Sequence, residues 1–460
     1  MITNEDFKWR IRFTFTQLTI IAIICNAHSY VLIPNIRLII ESFNETYIYV
    51  GILLGAYTFM CGVAALGWAL YSDVSGFQRR LLMAAGIAAG GVLTVLSSSV
   101  ENKFFFALLY ILGGMTLSVI RPLAATILMD MYRSEERSHK FMKFKIYSGF
   151  GIVLGFALGV LVGSWAGWRF PLMILGVLYL VVGIPVALIM REPPKGFSEE
   201  QLHEVLVVTA RYPFNLRIGD LKIIAGTRSN IFIVLQGIFG IIASSSIEVW
   251  IVQYLVVEAG TNEMVASVYL GIGALGSLGG ILVAWIADRL YRRSPKYRPL
   301  VAGISAILSS IAFILFLSIP IRISSKPKSF LEALIVVVNS IGSGGMLMLA
   351  TLFFFCGMLI NSSIGSIKDS VVSDVNLPEH RATILSGISI IELLSKSIGI
   401  AVMGFLIYVT GSIRIPLMIA VSFWMISSIY WILMSRFVEK DIWKIGIILG
   451  ERRKVWESMR

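Results

Sequence analysis

The chain has 460 residues, of which 57% are hydrophobic and only 14% are charged. Ordinary soluble proteins carry roughly 25% charged residues, because polar groups must cover their surfaces. The apolar share, 57% of 460 or about 262 residues, suffices for around a dozen membrane spans of about 20 residues each. This composition excludes a soluble enzyme, a nucleic-acid-binding domain and a disordered scaffold, and it indicates an integral membrane protein.

The hydropathy pattern predicts twelve transmembrane helices. In chain order, the predicted spans are residues 13–36, 47–71, 81–99, 104–131, 146–168, 170–190, 230–257, 265–287, 299–320, 346–367, 383–408 and 415–437. If the N-terminus is cytoplasmic, the cytoplasmic segments hold 30 of the 39 Lys and Arg residues and the opposite side holds seven. This asymmetry predicts that both termini are cytoplasmic. The basic residues behind the net charge of +12 are then expected to contact anionic membrane lipids and not nucleic acid. The plasma membrane is the expected location.

The longest polar stretch between predicted spans divides the chain into two halves. It predicts an N-terminal six-helix domain over 1–190, a cytoplasmic linker over 191–229, a C-terminal six-helix domain over 230–437 and a basic cytoplasmic tail over 438–460. Pro193 and Pro194 end the sixth helix, because proline cannot continue a helix. Ser198 and Gln201 have the spacing of a helix-capping box, so the linker is expected to contain a short amphipathic helix.

The two halves repeat a charged motif. Residues 73–80 (DVSGFQRR) follow the second span, and residues 288–293 (DRLYRR) follow the eighth, 215 residues later (288 minus 73). Each motif places an acid at a helix end ahead of paired arginines on a cytoplasmic connection. Six-helix repeats are an internal symmetry that transporters use to alternate access to a site near the membrane midplane.

These two loops resemble the cytoplasmic signature of the major facilitator superfamily. Other segments similar to the superfamily are ER at 136–137, the glycines at 151, 155, 159 and 163, and GWRF at 167–170. REPPKG at 191–196 resembles spinster-type lipid transporters, and LPEHRAT at 377–383 is similar to a segment of related prokaryotic members. The resemblance implies an all-α integral membrane fold, with twelve helices in two six-helix domains related by a pseudo-two-fold axis. It also implies secondary transport by alternating access, as symport or antiport.

The acids and arginines of the repeated loops are candidates for a cytoplasmic gate. In one interpretation they are solvated helix-end groups, which contribute little to stability. In the other, each acid pairs with an arginine and latches the two halves on the cytoplasmic side in only one transport state. We favour the gate, whose predicted members are Asp73, Arg79, Arg80, Asp288, Arg289 and Arg292.

Charges inside the predicted spans form a second set of candidates, because an unpaired charge in the bilayer is costly. Glu392 and Lys396 lie four residues apart near the middle of the eleventh span and share a helix face. They are either a self-neutralised structural pair or a cavity-facing pair that exchanges partners with substrate or proton during transport. The functional interpretation is favoured, since ionisable groups within membranes are commonly functional.

Glu248 is a further candidate for a substrate or coupling role. It lies in the outer half of the seventh span, close to Trp250, Gln253 and the serines at 244–246. This unusually polar composition predicts that the segment lines a wet cavity.

Arg121 and His28 complete the candidates. Arg121 precedes Pro122 in the fourth span, where it either binds an anionic head group or pairs with Asp130 or reaches toward the cytoplasm. His28 lies in the middle of the first span, where it either carries a coupling proton or is a hydrogen-bonded core residue.

The sequence contains no phosphate-binding loop, zinc-protease motif or nucleophile elbow, so neither an enzyme nor a cofactor or metal is expected. The favoured function is secondary transport of an amphipathic or anionic organic solute, a class that includes lipids, with a proton or another cation as coupling ion. This choice of solute is based on the spinster-like linker and on Arg121 and Lys396, which are the only cations within the predicted spans. Two alternatives stay open: a transporter of a small polar solute such as a sugar, drug or organic acid, and a non-transporting membrane sensor.

Overall fold

The computed structural model describes residues 4–75, 77–132, 134–192, 226–323, 327 and 329–458. Within these residues, twelve helices are long and apolar enough to cross a membrane. The chain divides into unit 1, Met1–Tyr212, and unit 2, Pro213–Arg460, and each unit holds six of these helices. The predicted all-α membrane fold with six helices in each half is therefore confirmed.

Each predicted span overlaps one of the twelve helices. In unit 1 they are α1 (Ile11–Phe43), α2 (Tyr47–Ser72), α3 (Arg79–Ser99), α4 (Lys103–Leu128), α5 (Ile146–Ala166) and α6 (Arg169–Ile189). In unit 2 they are α7 (Arg228–Glu258), α8 (Glu263–Tyr291), α9 (Tyr297–Ser318), α10 (Gly345–Val372), α11 (Gly387–Thr410) and α12 (Arg414–Ser435). The predicted linker helix lies outside the described residues, and the predicted tail is helical over Val438–Ser458. A short apolar helix, Phe330–Gly342, precedes α10.

Asparagine side chains cap the N-termini of two of these helices. The Asn102 side-chain oxygen accepts hydrogen bonds from the backbone N–H groups of Phe104 and Phe105, at 2.9 and 3.3 Å. The Asn262 side-chain oxygen accepts one from the N–H of Val265 at 2.9 Å. The first N–H groups of a helix have no partner within the helix, so these caps determine where α4 and α8 begin.

Proline interrupts α4 and thereby shapes the neighbourhood of Arg121. The helix runs over Lys103–Leu117 and resumes over Ile120–Met131. Pro122 has no N–H group to donate to the carbonyl group of Ser118, four residues earlier, and in a regular helix its ring would clash with that carbonyl group. The interruption of the helix lies at Ser118. Arg121 lies in the first turn after this break, and its side chain is exposed.

The glycine ladder of α5 lies directly against α1. A methyl group added at Gly155 would lie 2.5 Å from the Ala27 carbonyl oxygen, and one added at Gly159 would lie 2.6 Å from the Val31 carbonyl oxygen. Both helices advance by four residues between these contacts, so the two backbones follow one another along the ladder. Only glycine allows helices to approach this closely, because any side chain would keep the backbones apart.

We predict that Gly155→Ala lowers the stability of the protein, whereas Gly149→Ala in the same helix does not. Overpacking of a tight contact costs about 1–3 kcal/mol. A methyl group at Gly149 would meet no atom within 4 Å, and alanine favours a helix over glycine by up to about 1 kcal/mol. Thermal unfolding of both purified variants in lipid nanodiscs measures the difference. Equal melting temperatures would show that the α1–α5 contact does not require glycine.

Candidate functional site

Unit 1 contains a cavity of about 620 Å³ between α1, α2, α4 and α5. Most of its wall is apolar and is formed by alanine, leucine, isoleucine and aromatic side chains. Its polar lining consists of Cys25, Asn26, Ser29, Tyr30, Tyr57, Cys61, Ser118, Arg121 and Ser148. A mainly apolar cavity of this size, with a few convergent polar groups, is the usual form of a site for a small organic molecule.

Arg121 is the cation of this cavity. The alternative in which it pairs with Asp130 is wrong, because the Asp130 carboxylate accepts a hydrogen bond from the Arg79 guanidinium at 2.6 Å. In the part of the chain that the structure describes, no carboxylate lies within 4 Å of the Arg121 guanidinium. Its exposed side chain therefore offers hydrogen-bond donors to whatever occupies the cavity.

His28 lies behind the cavity wall and is fully buried. Its ring stacks on those of Tyr110 and Tyr57, with centroids 4.6 and 5.6 Å away. Its Nδ1 lies 3.1 Å from the Tyr57 hydroxyl, which also lies 3.1 Å from the Ser29 hydroxyl. Tyr57 and Ser29 line the cavity. This packing supports the core interpretation of His28, which positions the Tyr57 hydroxyl at the cavity wall.

The two charges of α11 bind other helices and not one another. The Lys368 ammonium of α10 donates to Glu392 at 2.6 Å, and the Lys396 ammonium donates to Glu248 of α7 at 3.0 Å. The alternative of a self-neutralised Glu392–Lys396 pair is therefore wrong, and the favoured functional role of the two residues stays a prediction. An intrahelical pair would leave Lys368 and Glu248 without partners in the membrane, whereas the observed pairing neutralises all four charges.

Lys368 is a charged residue that the sequence-based prediction left out of the membrane, because the predicted tenth span ends at residue 367. The helix continues, and Lys368 lies four residues inside the end of α10 at Val372. Arg121 and Lys396 are thus not the only intramembrane cations. A signal was present: Ile367, Val371 and Val372 are buried at helical spacing across this boundary.

The environment of Glu248 also differs from the prediction of a wet segment. Trp250, Gln253, Ser245 and Ser246 are fully buried, whereas Glu248 and Ser244 remain partly exposed. The Ser245 and Ser246 hydroxyls donate to a backbone carbonyl group of their own helix. Serine can satisfy itself in this way within a helix, so a run of serines does not require a water-filled lining.

A cluster of charges around the buried Arg79 lies at the end of unit 1 where α3 begins. The Arg79 side chain is only 2% exposed, and it donates to Asp130 at 2.6 Å and to Glu192 at 2.8 Å. The Arg80 backbone N–H also donates to Glu192, at 3.1 Å. The side chain of Asp73 lies outside the described residues. The cluster joins the start of α3 to the ends of the helices that form α4 and α6.

Unit 2 contains a related cluster, with a different arginine from the one that we predicted. Asp288 binds Arg298 at 2.6 Å and not Arg289 or Arg292, and Arg298 also binds Asp374 at 2.5 Å. Arg298 lies in the first turn of α9, between the ends of α8 and α10, and is mostly buried. Water and salt therefore screen its ion pairs less than they would screen a pair with an exposed loop arginine. Like Arg79, it begins the third helix of its half. These bonds form within one unit, and a latch between the halves stays a prediction.

The interhelical pairing generates a test on Lys368 and Glu392. We expect Glu392→Lys alone to lower stability by about 2 kcal/mol or more, because it places two ammonium groups together in a partly buried position. Adding Lys368→Glu restores the attraction across α10 and α11, so stability should recover. Adding Lys396→Glu instead leaves the repulsion at Lys368 and places a carboxylate against Glu248, so stability should fall further. Thermal unfolding separates these outcomes, and rescue by Lys396→Glu would contradict the observed pairing.

Comparison with known proteins connects this architecture to a family. A family model of the Major Facilitator Superfamily matches residues 18–355. The sphingosine-1-phosphate transporter SPNS2 of Danio rerio is 24% identical over 251 residues, which cover 51% of this chain and 49% of that protein. The membrane sensor protein UhpC of Salmonella typhimurium is 25% identical over 280 residues, or 58% of this chain and 63% of that protein. The match to the spinster-group relatives spans only about half of their length.

The fold also matches a solved structure. A bacterial homolog of the human lysosomal transporter Spinster, in an inward-facing and unoccupied conformation, aligns with a TM-score of 0.72 over 94% of this chain and 98% of that chain. The sequence identity is 16%, so this likeness concerns the fold alone. Together with the sequence matches, it confirms the predicted resemblance to spinster-like proteins.

Proposed function

The chain belongs to the major facilitator superfamily, and we propose that it is a secondary active transporter of an amphipathic, anionic organic solute. The observation that carries this proposal is the cavity of about 620 Å³ in unit 1, which combines apolar walls with Arg121. An alkyl chain fits the walls, since burying each methylene group is worth roughly 0.8 kcal/mol. An acidic group of the same solute meets the Arg121 guanidinium, which has no ion-pair partner among the described residues.

The relatives favour the same class of solute. The Danio rerio relative is a sphingosine-1-phosphate transporter, and sphingosine-1-phosphate combines an alkyl chain with a phosphate group. We propose that the protein lies in a plasma membrane with both termini on the cytoplasmic side, because the Lys and Arg residues follow the positive-inside distribution. A proton or another cation is the proposed coupling ion.

Two other functions are compatible with this fold. A small polar solute, such as a sugar, drug or organic acid, would use the polar lining of the cavity and leave its apolar walls without contacts. A non-transporting sensor is favoured by the similarity to the membrane sensor protein UhpC. A sensor would bind the same solute in the same cavity, so only movement of solute across the membrane separates it from a transporter.

The two cavity cysteines provide a direct test of binding. In a Cys356→Ser protein, Cys25 and Cys61 remain, and both line the cavity. We predict that lysophosphatidylglycerol slows their reaction with N-ethylmaleimide at concentrations about tenfold lower than those needed for monoacylglycerol of the same chain length. The two probes differ in the anionic phosphoglycerol group, and a hydrogen bond to a charged group contributes roughly 1.5–3 kcal/mol.

Arg121→Ala is expected to remove this difference between the probes and to leave the protection by monoacylglycerol unchanged. The melting temperature of the variant is measured in parallel, and Arg121→Gln replaces it if the alanine protein fails to fold. Equal protection by both probes in the wild-type cavity would show that Arg121 does not select anions. Absence of protection by either probe would show that the cavity is not the binding site.

A further inference from the structure

The wall of the unit 1 cavity that α1 forms presents two uncharged polar side chains to the interior. Asn26 and Ser29 both line the cavity. They lie three residues apart, a rise of about 4.5 Å along the helix, so they share one face of α1. We call these two residues the α1 pair. Arg121 enters the same cavity from α4, so an occupant meets polar groups from more than one helix.

Ser29 differs from serines such as Ser118 in how its hydroxyl is bonded. The Ser118 hydroxyl donates to the Met115 carbonyl group of its own helix at 2.7 Å. In the described part of the chain, the Ser29 hydroxyl instead bonds to the Tyr57 hydroxyl of α2, at 3.1 Å, and to no backbone carbonyl group. The backbone of α1 therefore does not decide in which direction the Ser29 hydroxyl donates.

His28, behind the cavity wall, sets this direction. Its Nδ1 lies 3.1 Å from the Tyr57 hydroxyl, whereas its buried Nε2 has no hydrogen-bond partner among the described residues. A neutral imidazole ring carries one hydrogen, on one of these two nitrogens. Buried N–H donors without an acceptor are rarer than buried acceptors without a donor, so we assign the hydrogen to Nδ1. The ring then donates to Tyr57, Tyr57 donates to Ser29, and the Ser29 hydrogen is left for the cavity.

Asn26 has the opposite hydrogen-bonding character. Its side-chain nitrogen donates to the Ser148 carbonyl group of α5 at 3.0 Å, which fixes the orientation of the carboxamide. The carboxamide oxygen receives no hydrogen bond from any residue that the structure describes. This oxygen accepts hydrogen bonds and donates none. The α1 pair therefore offers the cavity one donor, from Ser29, and one acceptor, from Asn26.

Close packing holds the pair in place. A methyl group added at Gly151 of α5 would lie 2.7 Å from the Asn26 Cβ atom, so α5 leaves the base of this side chain little room to move. The bond from Asn26 to Ser148 joins the same two helices. A binding group that is already oriented loses little conformational entropy when a ligand arrives.

A hydroxyl group is the partner that satisfies both members of the α1 pair. It can donate to the Asn26 oxygen and accept from Ser29 at the same time. An anionic group only accepts hydrogen bonds, so the Asn26 oxygen would repel it. An alkyl chain would leave the donor and the acceptor without partners, which costs free energy where water is displaced. The pair thus complements Arg121, whose guanidinium only donates and suits an anion.

We propose that the α1 pair binds a hydroxyl group of the solute while Arg121 binds its acidic group. The solute is then an amphipath that carries an uncharged hydroxyl group close to the acid, and not an acid attached to an alkyl chain alone. This inference rests on the proposed transport of an anionic amphipath, whose class it narrows. Binding at the pair forms hydrogen bonds only, and no covalent bond changes.

Calorimetry with two matched anionic lipids tests the proposal. One probe is lysophosphatidylglycerol. The other carries the same acyl chain and a phosphodiester of the same charge, on a propanediol backbone with a methyl ester, so it has no hydroxyl group. We expect wild-type protein to bind lysophosphatidylglycerol about tenfold more tightly, as the loss of a neutral hydrogen bond predicts. Equal dissociation constants would show that the α1 pair does not recognise a hydroxyl group and would overturn the proposal.

Ser29→Ala removes the donor of the pair and makes the test specific. Lysophosphatidylglycerol should bind this variant about tenfold more weakly, whereas the probe without hydroxyl groups should bind as it does to wild type. Thr58→Val is the matched control, since Thr58 lies outside the cavity wall and its hydroxyl donates to the Leu54 carbonyl group at 2.8 Å. It should bind both probes like wild type. Equal weakening of both probes by Ser29→Ala would indicate a structural role and would overturn the assignment. If the variant fails to fold, the comparison of the two probes on wild-type protein still decides the proposal.

The proposed function and this inference fail in different ways. If lysophosphatidylglycerol protects Cys25 and Cys61 better than monoacylglycerol does, but the two anionic probes bind equally, the contact with Arg121 stands and the hydroxyl contact is wrong. If neither anionic probe binds, both proposals are wrong.

Discussion

The constraint on which this structure depends is the cost of a charge inside a membrane. A charged side chain there must be paired or must face water, because lipid supplies neither counter-charge nor hydrogen bonds. The protein meets this constraint within each unit. Arg79 binds Asp130 and Glu192, and Arg298 binds two aspartates. In unit 2, the Lys368–Glu392 and Lys396–Glu248 ion pairs neutralise four more charges. Arg121 is different, since it faces a cavity with no carboxylate of the described residues in reach.

Close backbone packing supports the cavity in which Arg121 lies. The glycines of α5 bring it against α1, and both helices contribute residues to the cavity wall. The interruption of α4 before Pro122 presents Arg121 from a third helix, and Tyr57, held by His28, completes the polar lining from α2. Each element that shapes the site is thus explained by a local property of the chain: a glycine ladder, a proline, or a buried histidine.

The number and order of the spans could be predicted from the sequence, because hydropathy is a property of each segment by itself. The partners of the charges could not, because they depend on which helices face one another. Glu392 and Lys396 have suitable spacing for a pair, yet each binds a different helix. Asp288 is followed by three arginines within five residues, yet it binds Arg298 of the next helix.

Two other errors have local causes. Lys368 was assigned to a connection because the predicted span ended at residue 367, whereas α10 continues to Val372. The serines near Glu248 led to the prediction of a water-filled cavity lining, because serine is a polar residue. The hydroxyls of Ser245 and Ser246 instead donate hydrogen bonds to the backbone of their own helix. Composition describes which groups are present, and only packing decides how they are satisfied.

Movement of solute across a membrane tests the central claim most directly. Purified protein in vesicles of neutral phospholipid is supplied with radiolabelled lysophosphatidylglycerol, and albumin then extracts whatever remains in the outer leaflet. The account predicts that wild-type protein carries label into the pool that albumin cannot reach, and that Arg121→Ala does so about tenfold more slowly at limiting probe, in line with the loss of one charge-assisted hydrogen bond. Binding of the probe with no protein-dependent movement would contradict transport and would identify the chain as a sensor.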